Sequence, residues 1–236
     1  MPSVQDPLTT ACFDFDGVLI DTMPLHARAW QEAAKPLGLG VSRRAIYEWE
    51  GESGIVTARK LLSRRRLSQA SAAALLRDKE RRFQQLARRV RIKPALAALL
   101  GRLSRRGIRL GLVTGTSAGE LRRVMPPALL ARFHAVITGD EVRRGKPHPE
   151  PYLKALRRLR ASPRRTIVIE NAPYGIRSAR RARVGVVIAL ASSLPPQFLR
   201  EAHGVVRSVR ELCAVVERLT MPQHSRYNSR AKDKET

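Results

Sequence analysis

Four short apolar runs that each break into polar residues or glycine, and a fifth that follows Gly185, constrain this chain more than any other feature. They are Thr10–Phe15, Leu110–Thr114, Ala135–Thr138, Thr166–Ile169 and Val186–Ala191. Runs this short and this rich in Val, Ile and Leu suit strands buried on both faces, as in a parallel sheet. Helical patterns lie between them. Leu96, Leu99, Leu100 and Leu103 recur through Pro94–Arg106, and Leu153, Leu156 and Leu159 line one side of Pro151–Leu159. Arg177–Arg183 is a short amphipathic stretch for which Gly185 is the expected C-cap. Strands alternating with helices predict an α/β fold, a three-layer Rossmann-like core around a parallel sheet.

One long segment, Met23 to Lys93, breaks the alternation. It reads as helices throughout: Leu25–Lys35, Arg43–Trp49, Ser53–Arg65 and Ala70–Val90. The expected organisation is therefore an α/β core from 1–22 and 94–220, an inserted α-helical cap from 23–93, and a polar disordered tail from 221–236. A chain of 236 residues can bury one such core with its insert. The only two cysteines, Cys12 and Cys213, are far apart and lack metal spacing, which excludes a disulfide scaffold. No run of about 18 apolar residues is present to span a membrane. Met1 to Thr10 holds neither a basic residue nor an apolar run, so a cytoplasmic location is expected.

Lys and Arg number 45 against 20 Asp and Glu, a formal net charge of +25. Such a field attracts polyanions. The excess, however, runs through both large segments rather than forming a basic arm. Aromatic residues are only 5%, leaving little on which bases could stack. Specific nucleic-acid recognition is not expected; a small anionic substrate is.

The chemistry concentrates where the apolar runs end. In open α/β sheets, ligands bind outside the carboxyl ends of the strands. Asp14-Phe15-Asp16-Gly17-Val18-Leu19-Ile20-Asp21 closes the first run. Two carboxylates two residues apart repel one another unless a cation or a reaction needs both. Thr114 ends the second run and opens a small-residue loop, Gly115-Thr116-Ser117, offering a hydroxyl and backbone amides. Lys146, in Gly145-Lys146-Pro147-His148-Pro149, is held by proline ahead of a helix, in a chain that otherwise prefers arginine. Glu170 and Asn171 end the fourth run and offer oxygen ligands of the kind Mg²⁺ takes. Taken singly, the acidic turn, Thr114 and Glu170-Asn171 also read as helix caps, and Lys146 as one more surface cation.

Together, and in this order, the four resemble the signature motifs of the haloacid dehalogenase superfamily. Asp21-Thr22-Met23-Pro24-Leu25-His26, Trp30 and Ile169–Gly175 are similar to the subfamily with a helical cap, which includes β-phosphoglucomutase and phosphoglycolate phosphatase. The resemblance implies that Asp14 is a nucleophile toward phosphorus and Asp16 a general acid and base. It implies that Thr114, Gly115 and Lys146 bind the phosphoryl oxygens. Mg²⁺ would be held by Asp14, the backbone carbonyl of Asp16, Glu170 and Asn171. His26 would either line the site and contact substrate or Asp16, or pack as a hinge residue near Trp30. Hinges of a moving cap are expected near Thr22–Pro24 and Arg91–Pro94.

Two residues depart from the family pattern. Asn171 stands where an Asp is usual, which lowers the charge offered to a metal, and Gly115 stands where Asn is usual. Asp16 argues against dehalogenase and phosphonatase chemistry, neither of which has a carboxyl there. The cap loop reads Gly51-Glu52-Ser53-Gly54, with Gly54 where a mutase has an arginine for a distal phosphate. The expected activity is hydrolysis of a small phosphorylated metabolite, a sugar phosphate or a phosphoglycolate-like compound. A phosphomutase and a non-catalytic anion or nucleic-acid binder stay open as alternatives. Glu52, Arg59 and Lys60 are candidates for a specificity loop. Oligomeric state is not legible.

Overall fold

In the computed structural model, which describes residues 7–64, 71–87 and 90–221, six parallel strands form one sheet. They are β1 (Thr10–Phe13), β2 (Arg109–Val113), β3 (Ala135–Ile137), β4 (Thr166–Glu170), β5 (Val186–Leu190) and β6 (Gly204–Val206), in the order β3-β2-β1-β4-β5-β6. Between β1 and β2 the chain forms α1 (Met23–Ala34), α2 (Arg43–Glu48), α3 (Gly54–Ser63), α4 (Ala72–Leu86) and α5 (Pro94–Arg105). Then α6 (Ala118–Val124) and α7 (Pro127–Leu130) precede β3, α8 (Glu150–Arg158) precedes β4, α9 (Pro173–Arg181) precedes β5, and α10 (Val209–Thr220) follows β6.

The apolar runs become strands because their side chains alternate between two buried faces. β1 sends Ala11 and Phe13 to one face and Cys12 to the other. β4 does the same with Ile167 and Ile169 against Val168, and β5 with Val186 and Ile188 against Val187. The first face is covered by α5 and α10, the second by α8 and α9, giving three layers. β1 lies at the centre, where Thr10 to Phe13 pair with Arg109 to Leu112 on one side and Thr166 to Ile169 on the other. The chain winds outward in opposite directions from this strand, so the carboxyl ends of β2, β1 and β4 face the crevice where such sheets take ligands.

The four helices from Met23 to Leu86 pack on one another around an apolar cluster of their own. Trp30 of α1, Ile46 of α2, Leu61 and Leu62 of α3 and Leu75 of α4 are all buried in it, with Leu194 joining from the loop after β5. This excursion leaves and rejoins the sheet at neighbouring points. Ile20 forms an isolated antiparallel bridge with Ile92, and the Lys93 amide donates to the Leu19 carbonyl at 3.0 Å. The Lys93 ammonium donates to the Gly17 and Val18 carbonyls at 3.2 and 3.1 Å.

The structure differs from the sequence expectation in three places. β6 has only three residues at the sheet edge, too few to register as a run. The chain reverses after α9 at Arg183, with φ 59°, rather than at Gly185. Glycine is needed at 185 for space, because a side chain there would strike the Arg164 carbonyl. The expected disordered tail, beyond Met221, lies outside the described residues. No helix among the described residues is long and apolar enough to cross a membrane.

Leu99 is fully buried between α5 and the sheet. Leu99→Ala should lower unfolding stability by about 3 kcal/mol, read as a reduced urea midpoint at unchanged slope.

Candidate active site

Four residues singled out in the sequence meet at the carboxyl ends of three adjacent strands. Asp14 follows β1, Thr114 follows β2, and Glu170 ends β4. Lys146 enters from the segment before α8, across a cis peptide bond to Pro147. All four are buried.

The Lys146 ammonium spends its three protons on Glu170 Oε1 at 2.6 Å, Asp14 Oδ1 at 2.7 Å and the Val113 carbonyl at 3.0 Å. Burial would push a lone ammonium toward neutrality, but Asp14 and Glu170 overcome it and hold Lys146 well above its ordinary pKa. Tyr152 on α8 donates to the same Glu170 oxygen at 2.5 Å, and Glu170 Oε2 accepts the Asn171 amide at 3.2 Å. Burial, then the negative charge of Glu170 and Asp14, raises the Tyr152 phenol far above its usual range, so it stays a donor.

The two aspartates sit in opposite surroundings. Asp14 Oδ2 is buried and has no partner. Burial pushes the Asp14 carboxyl up to about 8, with Glu170 and Asp16 adding to the rise and Lys146 opposing it. Asp16 is fully satisfied. Its Oδ1 accepts the Thr22 hydroxyl at 2.5 Å and faces His26 Nε2 at 3.0 Å. Its Oδ2 accepts the Thr116 hydroxyl at 2.6 Å and a longer contact from Thr114 at 3.4 Å. Burial opposes its charge, yet His26, Thr116 and Thr22 win and hold Asp16 below the usual carboxylate range. His26 is itself fixed by stacking on Phe83, with ring centroids 3.9 Å apart. Of its two expected placements, the contact with Asp16 is the one formed.

Asn171 is the other buried group without partners, at both Oδ1 and Nδ2. Gly17, with φ 80°, lies against its amide, and any side chain at 17 would overlap Asn171 Nδ2. Among the described residues, no three His, Cys, Asp or Glu side chains converge as a ready metal cage. Mg²⁺ does not require one, since it takes one or two carboxylates, neutral oxygens and several waters. Two buried oxygens lacking any donor, Asp14 Oδ2 and Asn171 Oδ1, are what such a cation would satisfy, so the residues fit the ion. Glu170, with both oxygens engaged, is less free for it than the sequence suggests. Asp16 turns its side chain away, leaving only its backbone carbonyl for that purpose.

The loop between α2 and α3 closes over this centre. Gly51, at φ 84°, lies on the Lys146 side chain, and a Cβ on Gly115 would stand 2.9 Å from the Gly51 carbonyl oxygen. Glycine at 115 thus lets the two backbones meet. Beside them a cavity of about 220 Å³ opens at Thr116 and His26, the residues that hold Asp16. Gly54 lines it, and Leu76 occupies the space a side chain at 54 would need. Of the specificity-loop candidates, Glu52 lines the cavity. Lys60 lies behind it, paired to Glu52 at 2.7 Å. Arg59 is exposed and is not among the lining residues.

A model of the haloacid dehalogenase-like hydrolases matches residues 8–183. The chain belongs to that family. This dehalogenase-like hydrolase is 30% identical to hexitol phosphatase A of Escherichia coli over 200 residues, which is 85% of the chain and 91% of the relative. It is 28% identical to β-phosphoglucomutase of Bacillus subtilis over 179 residues, covering 72% and 78%. Among solved structures, CbbY from Rhodobacter sphaeroides in complex with phosphate superposes with a TM-score of 0.74 at 27% identity, covering 87% of this chain and 96% of that one.

Several contacts of the dehalogenase-like site escape sequence reading. Thr22 and Thr116 sit inside quoted motifs, but a hydroxyl's partner cannot be read from spacing. Tyr152 reads as one more buried aromatic. Lys79 carries a signal: it sits on the same stripe of α4 as Leu76 and Phe83, three and four residues away, a charge on an apolar face.

Lys146→Met should destabilise the fold by about 3–5 kcal/mol, because it leaves Asp14 and Glu170 buried without their cation. Thermal denaturation checks it. Tyr152→Phe, which removes one donor of several to Glu170, should cost only about 1 kcal/mol.

Proposed function

We propose that this protein is a Mg²⁺-dependent phosphatase that hydrolyses a small phosphorylated metabolite through an aspartyl-phosphate. The observation that carries the reading is the contrast between Asp14 and Asp16. One carboxylate is anchored at a single oxygen with the other unpartnered, and the second is enclosed by proton donors. The carboxylate with a free oxygen is placed to attack, and the enclosed one is placed to exchange a proton with its neighbours.

The Asp14 carboxylate attacks phosphorus and forms the new O–P bond while the bond to the leaving oxygen breaks. Protonated Asp16 gives its proton to that oxygen, and the alcohol departs. Asp16, now a carboxylate, takes a proton from water, whose oxygen attacks the aspartyl-phosphate, releasing inorganic phosphate and restoring Asp14. The hydrogen bonds from Thr22 and Thr116 and the His26 contact favour the carboxylate form needed in this second half, so the first half requires Asp16 to gain a proton and Asp14, raised by burial, to give one up once substrate is bound. Thr114, the Gly115 loop amides and Lys146 orient the phosphoryl oxygens, and Lys146 keeps Asp14 aimed. Asp14, the Asp16 carbonyl and Asn171 would hold Mg²⁺, with Glu170 contributing through water. When bound, the ion neutralises charge between carboxylate and phosphoryl group. The helices of 23–93 act as a cap that shuts the centre from bulk water, hinged where Ile20 meets Ile92.

Hydrolysis is favoured over mutase chemistry by Gly54. With Leu76 filling the space beside it, the loop offers no cation there for a second phosphate. The phosphatases among the relatives, one of them named for phosphorylated carbohydrates in Thermotoga maritima at 30% identity over 187 residues, support the same choice.

Inorganic phosphate release should depend on Mg²⁺ and vanish in Asp14→Asn. Asp16→Asn should retain binding and lose about 10²–10⁴ in kcat. Conversion of β-glucose 1-phosphate to the 6-phosphate without phosphate release would instead establish a mutase. Asn171→Asp restores a negative ligand and should tighten Mg²⁺ binding about tenfold by titration calorimetry on the resting enzyme.

A further inference from the structure

The cavity beside Asp16 has a charge opposite to that of the molecule. The chain carries +25, yet the cavity is lined by Glu50, Glu52, Glu80, Glu120 and Asp140, with Lys79 the single lysine or arginine among the described residues that line it. Its position identifies its occupant. Asp16 must reach the leaving oxygen, and the two residues that hold Asp16 from the cavity side are Thr116 and His26. The alcohol therefore lies here, while Lys146 and the Gly115 loop serve the phosphoryl group.

The lining divides into separate environments. Glu52 is neutralised by Lys60, at 2.7 and 3.0 Å. Asp140 accepts the Thr138 hydroxyl at 2.5 Å and the Ala118 amide at 3.1 Å. Among the described residues the Glu120 carboxylate has only a long contact, 3.5 Å, from Lys79. Lys79 is buried, and that contact is its one hydrogen bond to a carboxylate among the described residues; its other neighbours are the faces of Phe83 and Trp30. Glu80 has no hydrogen bond among the described residues and stands in the field of Glu120 and Asp140, opposed by Lys79 and Arg123. Among the described lining residues one ammonium thus faces three carboxylates at this end, with the Arg123 guanidinium outside the lining. Buried Lys79 keeps N–H groups for an acceptor, and the carboxylates keep lone pairs for donors. Hydroxyl groups serve both at once, whereas a second anion meets net repulsion. Trp30, Ile46 and Leu76 supply an apolar wall. The cavity, about 220 Å³, is smaller than the ~300–1,000 Å³ of sites for drug-sized ligands.

We propose that this cavity is the leaving-alcohol subsite and that its carboxylates restrict the enzyme to monophosphates of small uncharged polyols, excluding alcohols that carry a carboxylate or a second phosphate. The proposal rests on the phosphatase reading and narrows it: 2-phosphoglycolate, pyrophosphate and sugar bisphosphates become poor substrates.

The test compares sorbitol 6-phosphate with 6-phosphogluconate, which differ at the far carbon by a hydroxymethyl against a carboxylate. Acetyl phosphate is measured alongside as a substrate too short to reach the acidic end. The expected kcat/KM ratio favours sorbitol 6-phosphate by about thirtyfold or more. Glu80→Gln should reduce the ratio several-fold, and Glu80→Lys should reduce it further, with the change seen in KM for 6-phosphogluconate. Turnover of acetyl phosphate with a ratio near one, or a ratio unmoved by both substitutions, overturns the subsite and leaves the phosphatase standing. Failure to hydrolyse any of the three compounds in Mg²⁺ overturns both.

Discussion

One ammonium ties the centre of the sheet together. Lys146 reaches the carboxylate after β1, the carboxylate ending β4 and the last carbonyl of β2, so three neighbouring strands share one buried cation. A buried ion pair gains little over apolar packing unless its geometry is good and every proton finds an acceptor. Here all three protons do. The consequence is positional: Asp14 is pinned at one oxygen while the other is left without a partner. The fold around Lys146 follows from that need. Pro147 and Pro149 restrict the approach, Tyr152 supplies Glu170 with a second donor, and Gly51 leaves room above the lysine stem.

Asp14 and Asp16 illustrate how far backbone neighbours can be separated chemically. They stand two residues apart, yet one faces the sheet's cation and the other faces hydroxyls and an imidazole from α1 and the loop after β2. Period-two geometry at a strand end would place both on one side. A turn that begins at Phe15, whose carbonyl accepts the Leu19 amide at 2.9 Å, redirects the chain between them, and Gly17 N donating to the Ile20 carbonyl at 2.8 Å holds it there.

Much of this was legible in the sequence because the strongest signals are local. Buried strands must be apolar at every position, so β1, β2, β4 and β5 were readable to within a residue or two. The helices of 23–93 were readable from the absence of such runs. The residues at the strand ends were readable because polar groups terminating apolar runs need a reason. What was hidden depends on distance in the chain. β6 draws its identity from pairing with β5 rather than from its own three residues. Glu50, Glu80 and Lys79 acquire meaning only when α4 and the loop after α2 are brought over β2's carboxyl end. Arg59 shows the limit of proximity in sequence: one turn of helix carries it to the outside while Glu52 remains within.

The join at Ile20 and Ile92 has a consequence of another kind. Seventy-one residues of chain separate two positions that the fold has placed side by side. The entropy lost in closing such a loop grows only as the logarithm of its length, by about 0.6 kcal/mol for each doubling. The sheet therefore tolerates almost any excursion at this point, long or short, provided it satisfies its own apolar faces. The helices above the carboxyl ends of the strands can thus change in length at little cost in loop-closure entropy to the layers beneath.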